Sequence, residues 1–293
     1  MTSNRHLKTI KRLLRFVPDQ PYIQLYYFAK FRKFANLRKP STFNEKLQWM
    51  KINYRVPEYF DLVDKYEVKR RVADVIGEAH IIPTLAVYDT QDDIDFDALP
   101  DAFVLKCTHD SEGVVVVEDK SRIDRPEIRK GLKRALSQNF YHIGREPHYR
   151  DLQPRIIAEP FLVDDSSGQL IDYKFFCFGG HVKAVLLASE RRTGDVQFDY
   201  FDETFSAIDH IQSPSNLASP PPKPQRYADM LRMARDLSRG HPHVRVDLYE
   251  VNGKVYFGEL TFYPVSGFVS FSTPEWDRVW GDWLTLPSPV KPI

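Results

Sequence analysis

The chain has 293 residues with 42% hydrophobic and 13% aromatic side chains, a composition typical of a globular protein large enough for two or three lobes. Because 41 basic residues balance 40 acidic ones, the net charge of +1 excludes a nucleic-acid-binding field over the whole protein, and we expect no nucleic-acid partner. Two cysteines exclude a disulfide framework, and the lack of a signal-peptide pattern or of an apolar run near the ~20 residues of a membrane helix predicts a soluble cytoplasmic protein.

The first 39 residues are strongly basic, because ten lysines and arginines accompany a single acid, Asp19. Apolar residues recur here at helical spacing, at Leu7, Ile10, Leu13, Leu14 and Val17. The pattern predicts a basic amphipathic helix. Such a helix either rests on an anionic lipid surface or packs on the body of the protein with its basic face in water. The first alternative predicts a peripheral contact with the inner face of the membrane.

The rest of the chain alternates between helical and strand patterns. Predicted helices cover residues 21–34, the segment from a Ser41 or Thr42 cap to Met50, residues 62–76 ended by Gly77, residues 126–142 and residues 225–239. Predicted strands cover residues 81–88, 103–107, 114–118, 155–163, 172–178, 183–189, 244–250 and 254–260. Prolines and serines predict an exposed loop at 212–224. The predicted order is a helical leader, a small α/β segment, a hairpin-rich lobe and then a second α+β lobe.

The last two strands carry a pair of acids. The dipeptide Asn252–Gly253 predicts a tight hairpin, and a two-residue turn places Asp247 opposite Gly258, one step from Glu259. Strict alternation would put the two carboxylates on opposite faces, so a shared site needs a bulge, a wider turn or the strand ends. Two carboxylates that converge on one spot repel each other unless a cation lies between them, and such hard oxygen ligands suit Mg²⁺. Alternatively, both acids face water.

Two lysines interrupt apolar strands. Lys106 lies in the run Phe103–Cys107, and a buried lysine there needs an anionic partner, for which a phosphate is suited. The following turn, residues 108–113, offers backbone N–H groups and hydroxyls to phosphate oxygens. Lys174 repeats the pattern in a later strand. The alternative for Lys106 is a position on the exposed face of a hairpin.

Other polar residues give weaker signals. The strand at 155–163 ends with Glu159 and a proline, and such a segment can present backbone groups to an adenine edge or simply end an edge strand. His109 stands beside an aspartate and is a candidate general base. The pair His241 and His243 lacks the spacing of a zinc site, and no P-loop, nucleophile-elbow or dinucleotide-binding pattern is present.

Taken together, these segments resemble the ATP-grasp enzymes. Residues 103–113 resemble their lysine strand and phosphate loop, and residues 245–248 and 258–264 resemble their two metal-binding strands. The phrases DKYEVKRRVADVIGEAHIIPTLAVYD, DYKFFCFGG and VRVDLYEVNGKVYFGELTFYPVSGF are similar to the TupA-like ATP-grasp family, which is named for a teichuronopeptide biosynthesis protein. The likeness spans about residues 41–286.

The resemblance implies an ATP-grasp fold, with two α+β lobes clasping ATP behind a helical leader. The implied segments are a basic helical part at 1–60, a catalytic region at 61–286 with a lid-like hairpin lobe at about 101–160, and a tail at 287–293. The implied ATP contacts are Lys65, Lys69, Lys106, Ser111, Gly113, Glu159, Phe161, Leu162 and Lys174. Asp247 and Glu259 would hold Mg²⁺, and the catalytic cations would be Arg245, Lys106 and Lys174.

The implied activity is an ATP-dependent carboxylate–amine ligation through an acyl phosphate, joining an amine to a uronic acid of a cell-surface polysaccharide. Two departures from the family pattern keep other functions open: Glu112 stands in a turn that usually carries more glycine, and Thr261 stands where many ATP-grasp enzymes place an asparagine ligand. The alternatives are a kinase of a sugar hydroxyl and a non-catalytic glycan-assembly scaffold with a decayed ATP site.

Overall fold

A computed structural model describes residues 14–110, 113–165, 170–189, 197–208, 211 and 222–290. Most of the predicted N-terminal amphipathic helix lies outside these residues, apart from a short 3-10 turn at Leu14–Phe16. Most of the predicted loop at 212–224 also lies outside them. Within the described ranges, no helix combines the length and the apolar character needed to cross a bilayer.

Four α-helices precede the first strand, and groups of strands and helices follow. The α-helices are α1 Asp19–Phe31, α2 Phe43–Asn53, α3 Tyr59–Val63, α4 Glu67–Ile76, α5 Arg125–Leu136, α6 Tyr141–Gly144, α7 Tyr227–Ser238 and α8 Pro274–Trp283. Short 3-10 turns lie at Glu78–His80, Gln91–Asp93, Lys120–Arg122, Pro147–Tyr149 and Pro264–Gly267. The strands are β1 Ala86–Tyr88, β2 Phe103–Cys107, β3 Val114–Val117, β4 Ile156–Pro160, β5 Asp172–Phe178, β6 His181–Ser189, β7 Gln197–Phe201, β8 His243–Val251 and β9 Lys254–Thr261.

Residues 57–163 form one compact unit around a four-stranded antiparallel sheet. The strands lie in the order β1-β4-β2-β3, so β4 pairs with β2 although 48 residues lie between Cys107, the end of β2, and Ile156, the start of β4. The side chains of β2 that face the core, among them Phe103 and Leu105, pack with Leu132 of α5 and with Phe96. This packing places the lysine strand β2 at the centre of the sheet, flanked by β3 and β4.

The second unit comprises residues 1–56 and 164–293 and contains a five-stranded antiparallel sheet in the order β7-β6-β5-β8-β9. One face packs on α7, whose buried residues include Met230, Met233 and Leu237. On the opposite face, Phe178 lies among the rings of Phe43 and Trp280, which belong to α2 and α8. Both faces of the central strand β5 are therefore buried, and all seven of its residues are buried.

Several predicted elements are confirmed with a clear physical cause. Thr42 caps α2 through a capping box, because its side chain accepts from the Glu45 N–H while the Glu45 carboxylate accepts from the Thr42 N–H. Gly77 ends α4 with a φ of 95°, a conformation that favours glycine. Strand β5 has the predicted bounds, and the hairpin of β2 and β3 forms as predicted.

Other predicted elements are wrong in extent. The helix predicted at 62–76 is interrupted, because the Asp64 carboxylate accepts from the N–H groups of Tyr66 and Glu67 at 2.8 and 3.0 Å and starts a new helix. The strand predicted at 81–88 begins only at Ala86, and the helix predicted at 126–142 stops at Leu136. Strands β4 and β5, which follow each other in the chain, belong to different sheets. Strand β7 and helix α8 were not predicted.

We predict opposite effects on stability when alanine replaces glycine at two positions within helices. A Cβ on Gly281 of α8 would come closer than 3.0 Å to backbone atoms of Ser41, Thr42 and Phe43, whereas a Cβ on Gly131 of α5 would have nothing within 4 Å. We expect Gly281→Ala to lower the free energy of unfolding by ~1–3 kcal/mol, because backbone must move apart. We expect Gly131→Ala to raise it by ~0.5–1 kcal/mol through helix propensity. Urea unfolding followed by circular dichroism measures both, and equal signs would contradict the close approach at Gly281.

Candidate functional site

The two carboxylates of the C-terminal hairpin lie directly opposite each other. The turn residues Asn252 and Gly253 have φ values of 50° and 73°, as a tight hairpin turn requires. From the turn as far as Leu248, the strands keep the predicted register. One step further the register shifts, and Asp247 pairs with Glu259 rather than with the residue before it.

The extra residue at this shift is Gly258. A Cβ at this position would come within 2.9 Å of the Tyr249 ring and 3.0 Å of the Asp247 carbonyl oxygen, so the close approach of the two strands needs glycine. A bulge of this kind moves the side chains beyond it to the other face of the strand. Of the three possibilities that the sequence left open (a bulge, a wider turn or the strand ends), the structure contains the bulge. Both carboxylates therefore lie on one face of the sheet.

Asp247 lies between two cations. Lys174 is its cross-strand partner on β5, and the Lys174 ammonium donates to Asp247 Oδ2. Arg245, two residues before Asp247 on β8, donates from Nε to Oδ1 at 2.7 Å and from Nη2 to Oδ2 at 2.8 Å. Both oxygens of a carboxylate that is only 1% exposed are therefore bound by positively charged donors.

Arg245 and Lys174, the two cations bound to Asp247, each contact a second carboxylate. Arg245 Nη2 also donates to Glu259 Oε1 at 2.7 Å, and the Thr261 hydroxyl donates to the same oxygen at 3.2 Å. On the other side, the Lys174 ammonium lies 2.6 Å from Asp172 Oδ2. The result is a continuous row of charges across β5, β8 and β9, which we call the carboxylate row: Asp172, Lys174, Asp247, Arg245 and Glu259.

Burial and ion pairing act against each other in the carboxylate row. Burial raises the pKa of Asp247 above its ordinary value, and Arg245 and Lys174 offset that shift only in part. Burial alone would lower the pKa of Arg245, but Asp247 and Glu259 outweigh it and raise that pKa further. Arg245 is therefore a permanent positive charge that links the two carboxylates.

The carboxylate row fits a hard divalent cation. Its three carboxylates and two cationic side chains leave one negative charge, and Asp247 and Glu259 offer oxygen ligands on one face. Among the residues that the structure describes, no three His, Cys, Asp or Glu side chains are grouped to hold a metal by themselves. Mg²⁺ is usually held by one or two carboxylates with waters and substrate phosphates, so this donor set suits it. Glu259, whose side chain is 31% exposed, is the more accessible of the two.

A second charged cluster lies within residues 57–163, and we call it the Glu159 cluster. Glu159 of β4 is only 4% exposed. Its Oε2 lies 2.6 Å from the ammonium of Lys106 on β2, and its Oε1 lies 2.6 Å from the ammonium of Lys69 on α4. Lys69 also donates to the carbonyl of Ile82 and the hydroxyl of Thr84, at 2.8 and 2.7 Å. The predicted partner of Lys106 was a phosphate, and the structure adds this carboxylate.

The Glu159 cluster has an excess of one positive charge. Burial would raise the pKa of Glu159, but Lys106 and Lys69 outweigh it and hold that pKa below its usual value. Burial lowers the pKa of Lys69, and Glu159 opposes this shift. Two ammonium groups sharing one carboxylate can attract a further anion, which is the property expected of a phosphate-facing pair.

The other predicted nucleotide contacts lie around these strands. The Lys65 ammonium donates to the carbonyl of Asp110. Gly113 donates to Asp110 Oδ1 at 2.8 Å, and a Cβ on Gly113 would meet Cys107 Sγ at 2.6 Å, so glycine is required there. Ser111 and Glu112 lie outside the described residues. Phe161 and Leu162 directly follow β4 and are half-buried.

His109, the candidate general base, is buried. It is 4% exposed, and its Nε2 lies 3.0 Å from the carbonyl oxygen of Gln138. Burial lowers its pKa. The His109 side chain is thus buried and contacts backbone, and its role as a general base remains a prediction.

Asp172 of the carboxylate row and the bulge at Gly258 were not predicted as parts of the site. Asp172 pairs with Lys174, and the signal was available, because positions two apart on a strand share a face. The role of Gly258 was harder to foresee, since a glycine within a strand only suggests a bulge and does not fix its position.

Comparison with protein families gives one match over most of the chain. The model of the TupA-like ATPgrasp family matches residues 45–285. This range includes every residue of both charged clusters. Comparison with curated proteins gives no match.

Solved structures that are similar include several ligases. The D-alanine–D-alanine ligase from Bacillus anthracis is 18% identical with a TM-score of 0.37, and the alignment covers 69% of this chain and 57% of that one. The D-alanine–D-alanine ligase from Helicobacter pylori is 14% identical, with coverages of 84% and 70% and a TM-score of 0.44. D-cycloserine synthetase is 17% identical, with coverages of 78% and 70% and a TM-score of 0.42. This chain thus spans less than two thirds of the Bacillus ligase.

The Glu159 cluster predicts a pH-dependent contribution to stability. At neutral pH we expect Glu159→Gln to lower the free energy of unfolding by ~1.5–3 kcal/mol, because both lysines lose a charged acceptor. Since the folded-state pKa of Glu159 is below its ordinary value of 4.5, its ion pairs stabilise the fold fully above that pH. The stabilisation is lost as the pH falls through the lowered pKa. The difference between wild type and variant should therefore shrink on acidification.

Denaturant unfolding at a series of pH values measures this difference. Glu127→Gln is the matched control, because Glu127 makes an ion pair with Lys130 at 3.0 Å but both side chains are more than half exposed. That control should change stability little at any pH. A Glu159→Gln effect that stays constant across the acid range would contradict the assignment of the stabilisation to ion pairs.

Proposed function

The chain belongs to the TupA-like ATP-grasp family, and from this membership we propose that it is an ATP-dependent ligase that joins a carboxylate to an amine through an acyl phosphate. The observation that carries the proposal is the pairing of Asp247 with Glu259 across β8 and β9, with Arg245 donating to both. Paired carboxylates can hold the metal ion of a metal-bound triphosphate, and a fixed cation beside them can stabilise negative charge that develops on the phosphate.

The proposed reaction has two steps. An oxygen of the substrate carboxylate attacks the γ-phosphorus of ATP, the bond to the β-phosphate oxygen breaks, and ADP leaves. The amine nitrogen then attacks the carbonyl carbon of the acyl phosphate, a base removes its proton, and inorganic phosphate leaves. Mg²⁺ held by Asp247 and Glu259 would neutralise the phosphate oxygens. Arg245 and Lys174 are positive charges fixed in place, and each such contact in a transition state is worth about 3 kcal/mol.

The Glu159 cluster supports a role in nucleotide binding. Its excess positive charge would be satisfied by a phosphate oxygen, and we propose that Lys106 and Lys69 supply this contact. Lys65, Ser111 and Gly113 are proposed as further contacts in and beside the adjoining turn. Phe161 and Leu162, which follow β4, are proposed as the adenine-side segment.

We infer the class of substrate from the family's association with cell-surface polysaccharides. We propose a uronic-acid carboxylate, free or carried on a glycan, and an amino acid or another amine. Because ATP is supplied in the cytoplasm, we place the reaction there. Thr261 donates to Glu259 rather than offering an amide oxygen, so it orients one metal ligand instead of adding another.

Nucleotide binding should depend on Lys106 and on Mg²⁺. We expect calorimetry to detect ATP binding with Mg²⁺ and much weaker binding with EDTA. Lys106→Ala should weaken the affinity about ten- to a hundredfold, since a hydrogen bond to a charged group is lost. Lys133→Ala, on the exposed side of α5, is the control and should bind as the wild type does. Absence of ATP binding in every condition would instead favour a non-catalytic scaffold.

Turnover should depend on the two paired carboxylates. Glu259→Gln and Asp247→Asn should each reduce ATP-dependent product formation by about 10²–10³-fold, with circular dichroism and the compact state preserved. The measurement is release of ADP and phosphate together with amide product, over a panel of uronic acids and amino acids. Full activity of Asp247→Asn would overturn the assignment.

The same assay separates a ligase from a kinase. A ligase releases inorganic phosphate along with ADP and needs both a carboxylate and an amine. A kinase of a sugar hydroxyl would release ADP while the phosphate stays on the sugar, without any amine. ADP formation that is independent of an amine and yields a phosphorylated sugar would therefore contradict the ligase proposal.

A further inference from the structure

A group of apolar side chains on and around α1 is exposed to solvent. The exposed fractions are 80% for Phe16, 54% for Leu25, 43% for Phe28 and 62% for Phe34. These include all the exposed phenylalanines of the described residues. We call this group, with the cations around it, the aromatic–basic surface. Exposed apolar clusters of this kind mark interaction sites more often than single exposed residues do.

The exposure does not come from a loosely attached helix. On its other face α1 buries Tyr22, Ile23 and Tyr27, whose exposed fractions are 2% or less. The Tyr27 ring contacts Phe31 and Phe268 at centroid distances of 4.7 and 6.2 Å. Helix α1 is therefore fixed to its unit by one apolar face and presents a second apolar face to solvent.

A local clamp holds the exposed rings together. Gln24 donates to the Ala35 carbonyl at 2.8 Å and accepts from the Ala35 N–H at 2.9 Å. The helix ends at Phe31, and Arg32 after it has a φ of 58°, so the chain turns back along α1. This turn stacks Phe34 on Phe28 at a centroid distance of 5.0 Å. The two rings form a preformed apolar ridge, since no rearrangement is needed to bring them together.

The segment that carries the ridge is rich in cations. Two acids of other elements lie near it, because Glu45 accepts from the Asn36 N–H at 2.9 Å and Asp277 interacts with Lys33. Exposed basic side chains in this stretch are Arg15, Lys30, Arg32, Lys33, Arg38 and Lys39. The single acid of the segment itself, Asp19, is paired with Arg55 at 2.9 Å. Of the 41 basic and 40 acidic residues of the whole chain, ten and one lie within residues 1–39, which leaves 31 and 39 for the rest. Positive charge is thus concentrated in the segment that carries the exposed rings.

We propose that the aromatic–basic surface docks on an anionic lipid surface. Aromatic and aliphatic side chains enter the boundary between headgroups and acyl chains, and lysines and arginines beside them contact anionic headgroups. A protein partner of ordinary composition would leave this many cations without counter-ions, whereas a lipid surface supplies negative charge on every side of the ridge. This membrane contact does not depend on the proposed ligase activity. It involves α1 and the turn after it, whereas the sequence pattern placed the contact in the first seventeen residues.

Vesicle flotation of the full chain tests this proposal. Wild type should float with vesicles of phosphatidylcholine mixed with phosphatidylglycerol, remain unbound with phosphatidylcholine alone, and lose binding as salt is raised. The double variant Lys30→Glu with Lys33→Glu should bind anionic vesicles at least about tenfold more weakly. Phe28→Ser with Phe34→Ser should lose binding while keeping the wild-type unfolding midpoint, because both rings are exposed.

Two matched controls isolate the surface. Lys133→Glu with Arg134→Glu makes the same charge change in the last turn of α5, as Lys30 lies in the last turn of α1, and should leave flotation unchanged. Val116→Ser removes an exposed apolar side chain of β3 and should also leave it unchanged. Failure of wild type to float at low salt, or equal losses in the controls, would overturn the proposal. A change of oligomeric state in Phe28→Ser with Phe34→Ser, with flotation intact, would assign the surface to a second copy of the chain instead.

Discussion

A buried carboxylate, Asp247, can remain ionised only because cations lie on both sides of it. Taking a carboxylate out of water costs several kcal/mol, and the attraction of Lys174 and Arg245 offsets that cost only with close geometry. That geometry requires β5, β8 and β9 to be in one register, since the three side chains come from two strands and Arg245 also reaches Glu259 on the third. The fold of this sheet and the chemistry of its charged face therefore depend on the same pairing.

The strand that carries Glu259 is supported from the N-terminal side of the chain. After β9 the backbone enters a turn in which Val265 and Ser266 have φ values of 51° and 53°, an unusual conformation for residues other than glycine. Gln48 of α2 donates to the Gly267 carbonyl at 2.6 Å, and the buried Lys51 donates to the Ser266 carbonyl at 2.5 Å. These bonds hold the two carbonyl groups in place and so help to keep the turn in this unusual conformation. Helix α2 thus helps to fix where β9 ends.

Local patterns in the sequence were enough for most elements but not for the arrangement of the site. Capping by Thr42, the hairpin at Asn252 and the bounds of β5 depend on residues close in sequence, and all three were predictable. The break of the helix at Asp64 was missed because its side chain could equally have faced solvent within a continuous helix. The partnership of Lys69, Lys106 and Glu159 joins α4, β2 and β4, and no periodicity in one segment encodes contacts between three. The roles of the predicted ATP and Mg²⁺ contacts remain predictions.

Net charge is a poor guide to what such a chain binds. Its total of +1 excludes a uniform field, but at physiological salt a charge is screened within about 8 Å, so a partner experiences only the charges near it. Three environments coexist here: the carboxylate row with one excess negative charge, the Glu159 cluster with one excess positive charge, and a basic stretch around exposed rings. Each has the sign that its proposed ligand requires, a metal ion, a phosphate and an anionic lipid. A net charge close to zero is therefore compatible with selective binding at each site, because positive and negative side chains are concentrated in different parts of the chain.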